Sequence, residues 1–167
     1  QQSTRTSSAR IAASERLYRT LVEGSPNWIG LFDNDGRCVA VNRNGLTAMG
    51  RTEAEVRGVP FPEIWWKETG SMLEDSVSRV LRGERVVFEA GQYQPDGSSM
   101  TWHAVLNPIV EQDGSVRSFV GIATDISARK QAEEKLASVN RQNELLLSCA
   151  GDGIYGLDTE GLTTFAN

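Results

Sequence analysis

The 167-residue sequence contains one histidine, two cysteines and no apolar stretch of the roughly 20 residues that cross a bilayer. The cysteines, Cys38 and Cys149, lie far apart and form no C-x-x-C pair, which excludes a disulfide framework and a cysteine-based zinc site. The polar amino-terminal stretch also lacks the apolar segment of a signal peptide. These absences predict a cytoplasmic location and no direct membrane insertion of this stretch.

Positive charge is scarce as well, since 17 Lys and Arg stand against 22 Asp and Glu, for a formal net charge of -5. Nucleic-acid surfaces need clustered basic residues, so no nucleic-acid partner is predicted. The sequence has no G-x-S-x-G, H-E-x-x-H or Walker pattern, and the Glu133-Glu134 pair lies on a mixed-charge helical face. We therefore predict no catalytic residues, no metal site and no enzymatic activity for this stretch.

The patterns that are present divide the chain into segments. Residues 1–24 indicate a polar tail and a short amphipathic helix that ends at Gly24-Ser25-Pro26. Residues 25–126 hold two strand-like runs around an Asp-Gly turn, then a helical stretch, then three strand-like runs. This order predicts an α+β domain, with a five-stranded antiparallel sheet and short helices over one face.

Residues 127–149 predict a long coiled-coil linker helix of about 30 Å, too long to serve only as a cap on a small sheet. Asn143 in its seam is either a register-setting residue of a parallel dimer or a solvent-facing residue. We expect a homodimer through the flanking helices. The predicted heptad seam consists of Arg129, Leu136 and Asn143 at the a positions and Ala132, Val139 and Leu146 at the d positions.

The tail repeats the first hairpin at a shift of 125 residues. The shift aligns Ile29 with Ile154, Asp33 with Asp158, Asp35 with Glu160, Gly36 with Gly161 and Asn42 with Asn167. Residues 150–167 are therefore predicted to be the first hairpin of a truncated second copy of the module.

Four motifs in this order resemble the PAS family over roughly residues 21–134. They are Asp33-Asn34-Asp35-Gly36 with Asn42, the stretch GRTEAEVRG at 50–58, the turn Pro95-Asp96-Gly97, and GIATDIS at 121–127. The resemblance implies the PAS fold and a sensory input domain of a bacterial signalling protein. Such proteins are commonly histidine kinases or cyclic-dinucleotide enzymes, so the expected partner is an output domain further along the same chain.

Apolar and aromatic side chains available between helices and sheet either fill the core or line a pocket for a small organic ligand or a non-covalent flavin. We expect no cofactor. Haem is disfavoured because residues 44–83 offer no histidine ligand. The single histidine, His103, is expected to be half-exposed on a strand. The Asn-Cys-Arg motif of light-oxygen-voltage flavin sensors is absent. Two alternatives stay open, namely a ligand-free dimerisation or protein-interaction module and a flavin-binding redox sensor. The pocket candidates are Met49, Phe61, Ile64, Trp65, Trp66, Met72, Phe88 and Trp102.

Signal coupling is predicted for Asp125, Ile126 and Ser127, because they join the last strand to the linker helix. The simpler interpretation of Asp125 is that its carboxylate caps the first helical turn.

Overall fold

The computed structural model describes residues 2–65, 70–93, 97, 99–149, 153 and 155–166. It divides the chain into two units, Gln1–Ile126 and Ser127–Asn167. In chain order, the first unit contains α1 (Gln2–Glu23), β1 (Trp28–Asp33), β2 (Cys38–Val41), α2 (Arg43–Met49), α3 (Glu53–Val56), α4 (Phe61–Ile64), α5 (Gly70–Leu81), β3 (Val86–Tyr93), β4 (Ser99–Val110) and β5 (Val116–Asp125). The second contains α6 (Ser127–Cys149), β6 (Tyr155–Leu157) and β7 (Thr163–Ala166).

The predicted polar tail before the first helix is wrong, because α1 already begins at Gln2. No proline or glycine interrupts the sequence before Gly24, and a helix that has formed one turn extends at little cost through polar residues. The helix ends where predicted, with the Gly24 N–H donating to the Thr20 carbonyl at 3.0 Å.

The first unit is built on one antiparallel sheet with the strand order β2-β1-β5-β4-β3. The first and last strands of the unit are neighbours, since Trp28 of β1 pairs with Ala123 of β5 and Asp33 pairs with Ser118. The five-stranded α+β fold predicted from the sequence is confirmed.

Alternation along the strands sends every second residue into the core. In β1 these residues are Trp28, Gly30 and Phe32, and all three are buried. Helix α5 covers the same side of the sheet with Leu73 and Val80, which have no exposed surface. The core therefore lies between the short helices and the inner face of the sheet.

The β1–β2 turn is fixed by one aspartate and one glycine. The Asp33 Oδ1 accepts hydrogen bonds from the N–H groups of Asp35 and Arg37, at 2.9 Å each. Gly36 has a φ of 73°, a left-handed conformation that glycine adopts without strain. The pairing register shifts between Leu31 and Phe32.

The β6–β7 hairpin has the same turn 125 residues later. The Asp158 Oδ1 accepts from the N–H groups of Glu160 and Leu162, at 2.9 Å each, and Gly161 has a φ of 81°. Its register shift falls between Gly156 and Leu157, again 125 residues after the first. The sequence repeat thus corresponds to a repeat of backbone geometry.

Candidate functional site

The centre of the core is an aromatic cluster built around three tryptophans. The Trp28 and Trp65 ring centroids lie 5.0 Å apart at 68°, and those of Trp65 and Trp102 lie 5.9 Å apart at 84°, both edge-to-face arrangements. These rings, with Ala48 and Met49, enclose a cavity of about 10 Å³. A space of that size holds about one water molecule, so the side chains fill the interior in this conformation.

Most of the predicted pocket residues belong to this core. Phe61, Ile64, Trp65 and Trp102 are buried, whereas Met49 and Phe88 are partly buried and pack against the cluster. Trp66 lies outside the described residues.

The prediction for Met72 is wrong, because its side chain is 39% exposed. Leu73, Ser76 and Val80 form the buried stripe of α5, and Met72 lies beside that stripe. Ser76 is buried although polar, and its hydroxyl donates to the Met72 carbonyl at 2.8 Å. Helical spacing alone did not decide which neighbouring residue faces the sheet.

Trp28 belongs to the cluster and was not among the predicted pocket residues. Among the residues that the structure describes, none accepts a hydrogen bond from its buried Nε1. Space for the indole comes from glycines, since an added Cβ at Gly30 would lie 2.5 Å from the Trp28 ring and one at Gly121 would lie 3.1 Å from it. The alternating pattern of β1, which begins at Trp28, is the sequence signal that could have identified it.

Asn42 is a second candidate functional residue, which the sequence analysis used only in the repeat and in one of the four family motifs. It is 2% exposed and lies at the end of β2, where it caps α2. Its Oδ1 accepts from the N–H groups of Ile29, at 2.9 Å, and Gly45, at 3.1 Å. Its Nδ2 donates to the carbonyls of Val22, at 3.1 Å, and Asn27, at 2.9 Å. One amide thus connects α1, β1 and α2.

Helix α1 has a further connection to α2, because the Glu23 carboxylate accepts from the Arg43 N–H at 3.0 Å. Between residues 15–23 of α1 and the outer face of the sheet lies a cleft of about 320 Å³. Ile29 and Leu31 line it on the sheet side, and Tyr18 lines it on the helix side. The carboxyl end of α1 is therefore hydrogen-bonded to the domain, and the cleft separates the preceding turns of the helix from the sheet.

The three predicted coupling residues lie at the junction of β5 and α6. Asp125 is exposed and is the last residue of β5, paired with Trp102 of β4. Ile126 is 9% exposed, and its N–H donates to the Thr101 carbonyl at 2.8 Å. Ser127 is the first residue of α6. The chain passes from the aromatic core to this helix within a few residues.

The predicted seam residues lie on α6 and are exposed. Leu136 is 63% exposed, Val139 45% and Leu146 65%; Ala132 and Asn143 are exposed too. The long helix predicted for residues 127–149 is confirmed as Ser127–Cys149.

Cys38 is 3% exposed on β2, and burial raises the pKa of its thiol to about 11. A neutral buried thiol acts as a small apolar side chain. Cys38 therefore packs as part of the core. His103 is half-buried on β4, as predicted.

Within the described ranges, no three His, Cys, Asp or Glu side chains are grouped so that they could hold a metal ion. The helices that the structure describes include none long and apolar enough to cross a membrane.

Comparison with known proteins identifies the class. The sequence profile of the PAS fold matches residues 22–131, so the chain belongs to the PAS family. The PAS domain of an HTR-like protein from Haloarcula marismortui has a similar structure, with a TM-score of 0.58, 26% identity and coverage of 73% of this chain and 99% of that one. The predicted family and fold are confirmed.

Two curated relatives are signalling proteins by name. The methanogenesis regulatory histidine kinase FilI of Methanothrix harundinacea is 31% identical over 148 residues, which cover 89% of this chain and 16% of the kinase. The probable diguanylate cyclase DgcE of Escherichia coli is 22% identical over 147 residues, which cover 87% of this chain and 13% of the cyclase. The chain therefore spans less than a fifth of the length of each of these relatives. The predicted sensory input domain is confirmed by the family and by these relatives.

Proposed function

We propose that this chain relays a change in its aromatic core through the β5–α6 junction to an output domain elsewhere in the same protein. The observation that carries the proposal is the pairing of Trp102 with Asp125. Trp102 belongs to the tryptophan cluster, and Asp125 is separated from α6 by Ile126 alone. A rearrangement of the cluster therefore acts directly on the strand end from which the helix begins.

The relay needs two arrangements of the same element, because a signal shifts an equilibrium between states and does not deform a packed core continuously. Ile126 is suited to hold the junction, since it is buried and hydrogen-bonded to β4. Asp125 is exposed at the end of β5, so its surroundings change when that strand end moves. We expect the two states to differ in the position of this strand end.

The packed core supports a domain that works without a bound cofactor. A cavity of about 10 Å³ does not accommodate an isoalloxazine ring or a drug-sized metabolite, which need several hundred Å³. A small organic ligand or a flavin would require the Trp65 and Met49 side chains to move. Mass spectrometry of a denatured extract and the visible spectrum of the purified protein test this, because yellow absorbance contradicts a cofactor-free core.

The relatives' names support a histidine kinase or a cyclic-dinucleotide enzyme as the output partner. We further propose that the chain itself performs no catalysis, that it forms a homodimer through its flanking helices, and that it is located in the cytoplasm. Residues 150–167 are proposed to begin a second PAS domain, a role supported by the shared hydrogen bonds of the turns at Asp33 and Asp158.

The relay is tested with Asp125→Ala in the full-length protein, with Glu111→Ala at the exposed β4–β5 turn as the matched control. Loss of a helix-end carboxylate typically costs about 1 kcal/mol, which is small beside the stability of a folded domain. We expect altered regulation of the output activity in Asp125→Ala and unchanged regulation in Glu111→Ala. Normal regulation in a folded Asp125→Ala protein contradicts the proposed relay.

A further inference from the structure

The cleft between α1 and the outer face of the sheet has an apolar floor. Leu31 of β1 pairs with Ala40 of β2 and with Val120 of β5, so these three side chains form a row across the sheet. Phe32, the next residue of β1, has no exposed surface and lies in the core, which places Leu31 on the opposite face. Together with Ile29, which also lines the cleft, the row provides an apolar surface outside the core.

Helix α1 supplies the opposite wall. Tyr18 and Val22 lie one helical turn apart and both line the cleft, and Tyr18 is 58% exposed. Glu15 and Arg19 line it as well and form an exposed ion pair, with 3.3 Å between the Glu15 Oε1 and the Arg19 Nη2. These two side chains therefore balance each other's charge.

The negative charge of Glu23 remains unbalanced within the cleft. Its carboxylate accepts a hydrogen bond from the Arg43 backbone N–H at 3.0 Å, and that donor carries no charge. None of the ion pairs between described residues involves Glu23. Glu23 is also the last residue of α1, and the carboxyl end of a helix favours positive charge nearby. The apolar floor and the carboxylate thus lie in one cleft.

We infer that this cleft binds a small organic cation that consists of an ammonium group on an apolar body. A volume of about 320 Å³ lies at the lower end of the range of small-molecule pockets, which are mostly apolar with a few placed polar groups. The apolar body covers Leu31 and Val120, and the ammonium group lies at the Glu23 carboxylate. The Tyr18 ring adds a face that attracts cations. An anionic ligand of the same shape meets repulsion from Glu23.

The inferred site is separate from the aromatic core and goes beyond the proposed relay. Its occupant contacts α1 on one side and β5 on the other, because Val120 belongs to β5. Binding should therefore hold the last turns of α1 against the sheet. This binding is measured without an output domain, so its failure is distinct from failure of the relay, which appears in the Asp125→Ala regulation experiment.

An NMR titration of the 167-residue chain tests the site with three probes of similar shape near neutral pH. Phenethylamine is the cationic probe, phenethyl alcohol the neutral one and hydrocinnamate the anionic one. We expect phenethylamine to shift the backbone amide signals of Leu31, Ala40 and Val120 in a saturable way, with a Kd of about 1 mM. The other two probes should bind more weakly by about twofold or more. Equal affinities for the three probes, or shifts centred on Trp28 and Trp65 in the core, overturn the inference.

Three variants separate the charge from the apolar floor. Glu23→Gln keeps an acceptor oxygen for the Arg43 N–H but removes the charge, so it should weaken phenethylamine binding by about two- to fivefold and leave phenethyl alcohol binding unchanged. Ala40→Leu adds volume to the floor and should weaken the binding of both probes. Glu111→Gln, at the exposed β4–β5 turn, is the matched control and should change neither.

Unchanged phenethylamine affinity in Glu23→Gln contradicts the inferred cation site. The same holds if affinity falls as the protein concentration is raised, because a second copy of the chain then occupies the cleft.

Discussion

Replacing Asn42 with alanine tests whether one buried amide holds α1 onto the domain. The substitution removes two acceptor contacts, from the N–H groups of Ile29 and Gly45, and two donor contacts, to the carbonyls of Val22 and Asn27. Through this one side chain the four contacts join α1, β1 and α2. The loss should therefore reach α1, β1 and α2 together.

The size of the effect follows from these contacts. A hydrogen bond contributes about 1 kcal/mol net, and a buried group left unpaired costs about 1–3 kcal/mol. Asn42 is 2% exposed, but Val22 and Asn27 are only partly buried, so we expect their carbonyls to regain water when the amide is removed. We expect Asn42→Ala to lower the free energy of unfolding by about 3 kcal/mol. Urea denaturation measures the loss.

Asn42→Asp distinguishes the acceptor contacts of the Asn42 side chain from its donor contacts. A carboxylate still accepts from Ile29 and Gly45 at the amino end of α2, where negative charge is favourable. It cannot donate to the Val22 and Asn27 carbonyls. We therefore expect amide hydrogen exchange in the last turns of α1 to accelerate by about tenfold or more, which corresponds to the loss of roughly 1.4 kcal/mol of local stability. The first turn of α2 should keep its protection.

The matched control is Asn44→Ala, since Asn44 is an exposed neighbour whose side-chain amide donates to the loop carbonyl of Pro26. It should cost less than 1 kcal/mol and leave α1 protected. Equal unfolding free energies for Asn42→Ala and Asn44→Ala would refute the reasoning. So would unchanged exchange of α1 in Asn42→Asp.

Three other measurements test the core. Gly30→Ala places a Cβ 2.5 Å from the Trp28 ring and should lower the free energy of unfolding by about 1–3 kcal/mol. The control Gly91→Ala has open space at its Cβ and should leave the free energy of unfolding nearly unchanged. Equal losses of unfolding free energy in the two variants contradict the packing around Trp28. Because burial raises the pKa of the Cys38 thiol from 9.0 to about 11, its alkylation at pH 8 should be slower than in the unfolded chain by about a hundredfold or more. The unfolded thiol ionises first, so stability should fall as pH rises from about 9 to 11, and a flat stability profile in that range contradicts the shift.

The local features of the fold were predictable because their causes are local. The turn at Asp33 to Gly36 needs a side-chain acceptor and a residue that tolerates positive φ, and both are visible in the sequence. The same residue types at Asp158 and Gly161 revealed the repeat. The long helix from Ser127 was predictable for the same reason, since neither proline nor glycine interrupts it.

The start of α1 was not predictable from local preference, because polar residues neither favour nor forbid a helix strongly. Which α5 residues face the sheet was equally undecided. Met72 and Ser76 both lie near the apolar stripe, and the packing buries the serine and exposes the methionine. A helical pattern fixes which residues share a face, whereas the contact with the sheet fixes where that face ends.

The sequence by itself determined the order of strands and helices, the turns and the 125-residue period, since these depend on backbone preferences over a few residues. Only the tertiary structure decided that Trp28, Trp65 and Trp102 meet in one cluster, and that Asn42 binds segments up to 20 residues away. Such contacts form when β1 pairs with β5 and brings distant parts of the sequence together. Burial of side chains from these segments then offsets the conformational entropy that the chain loses.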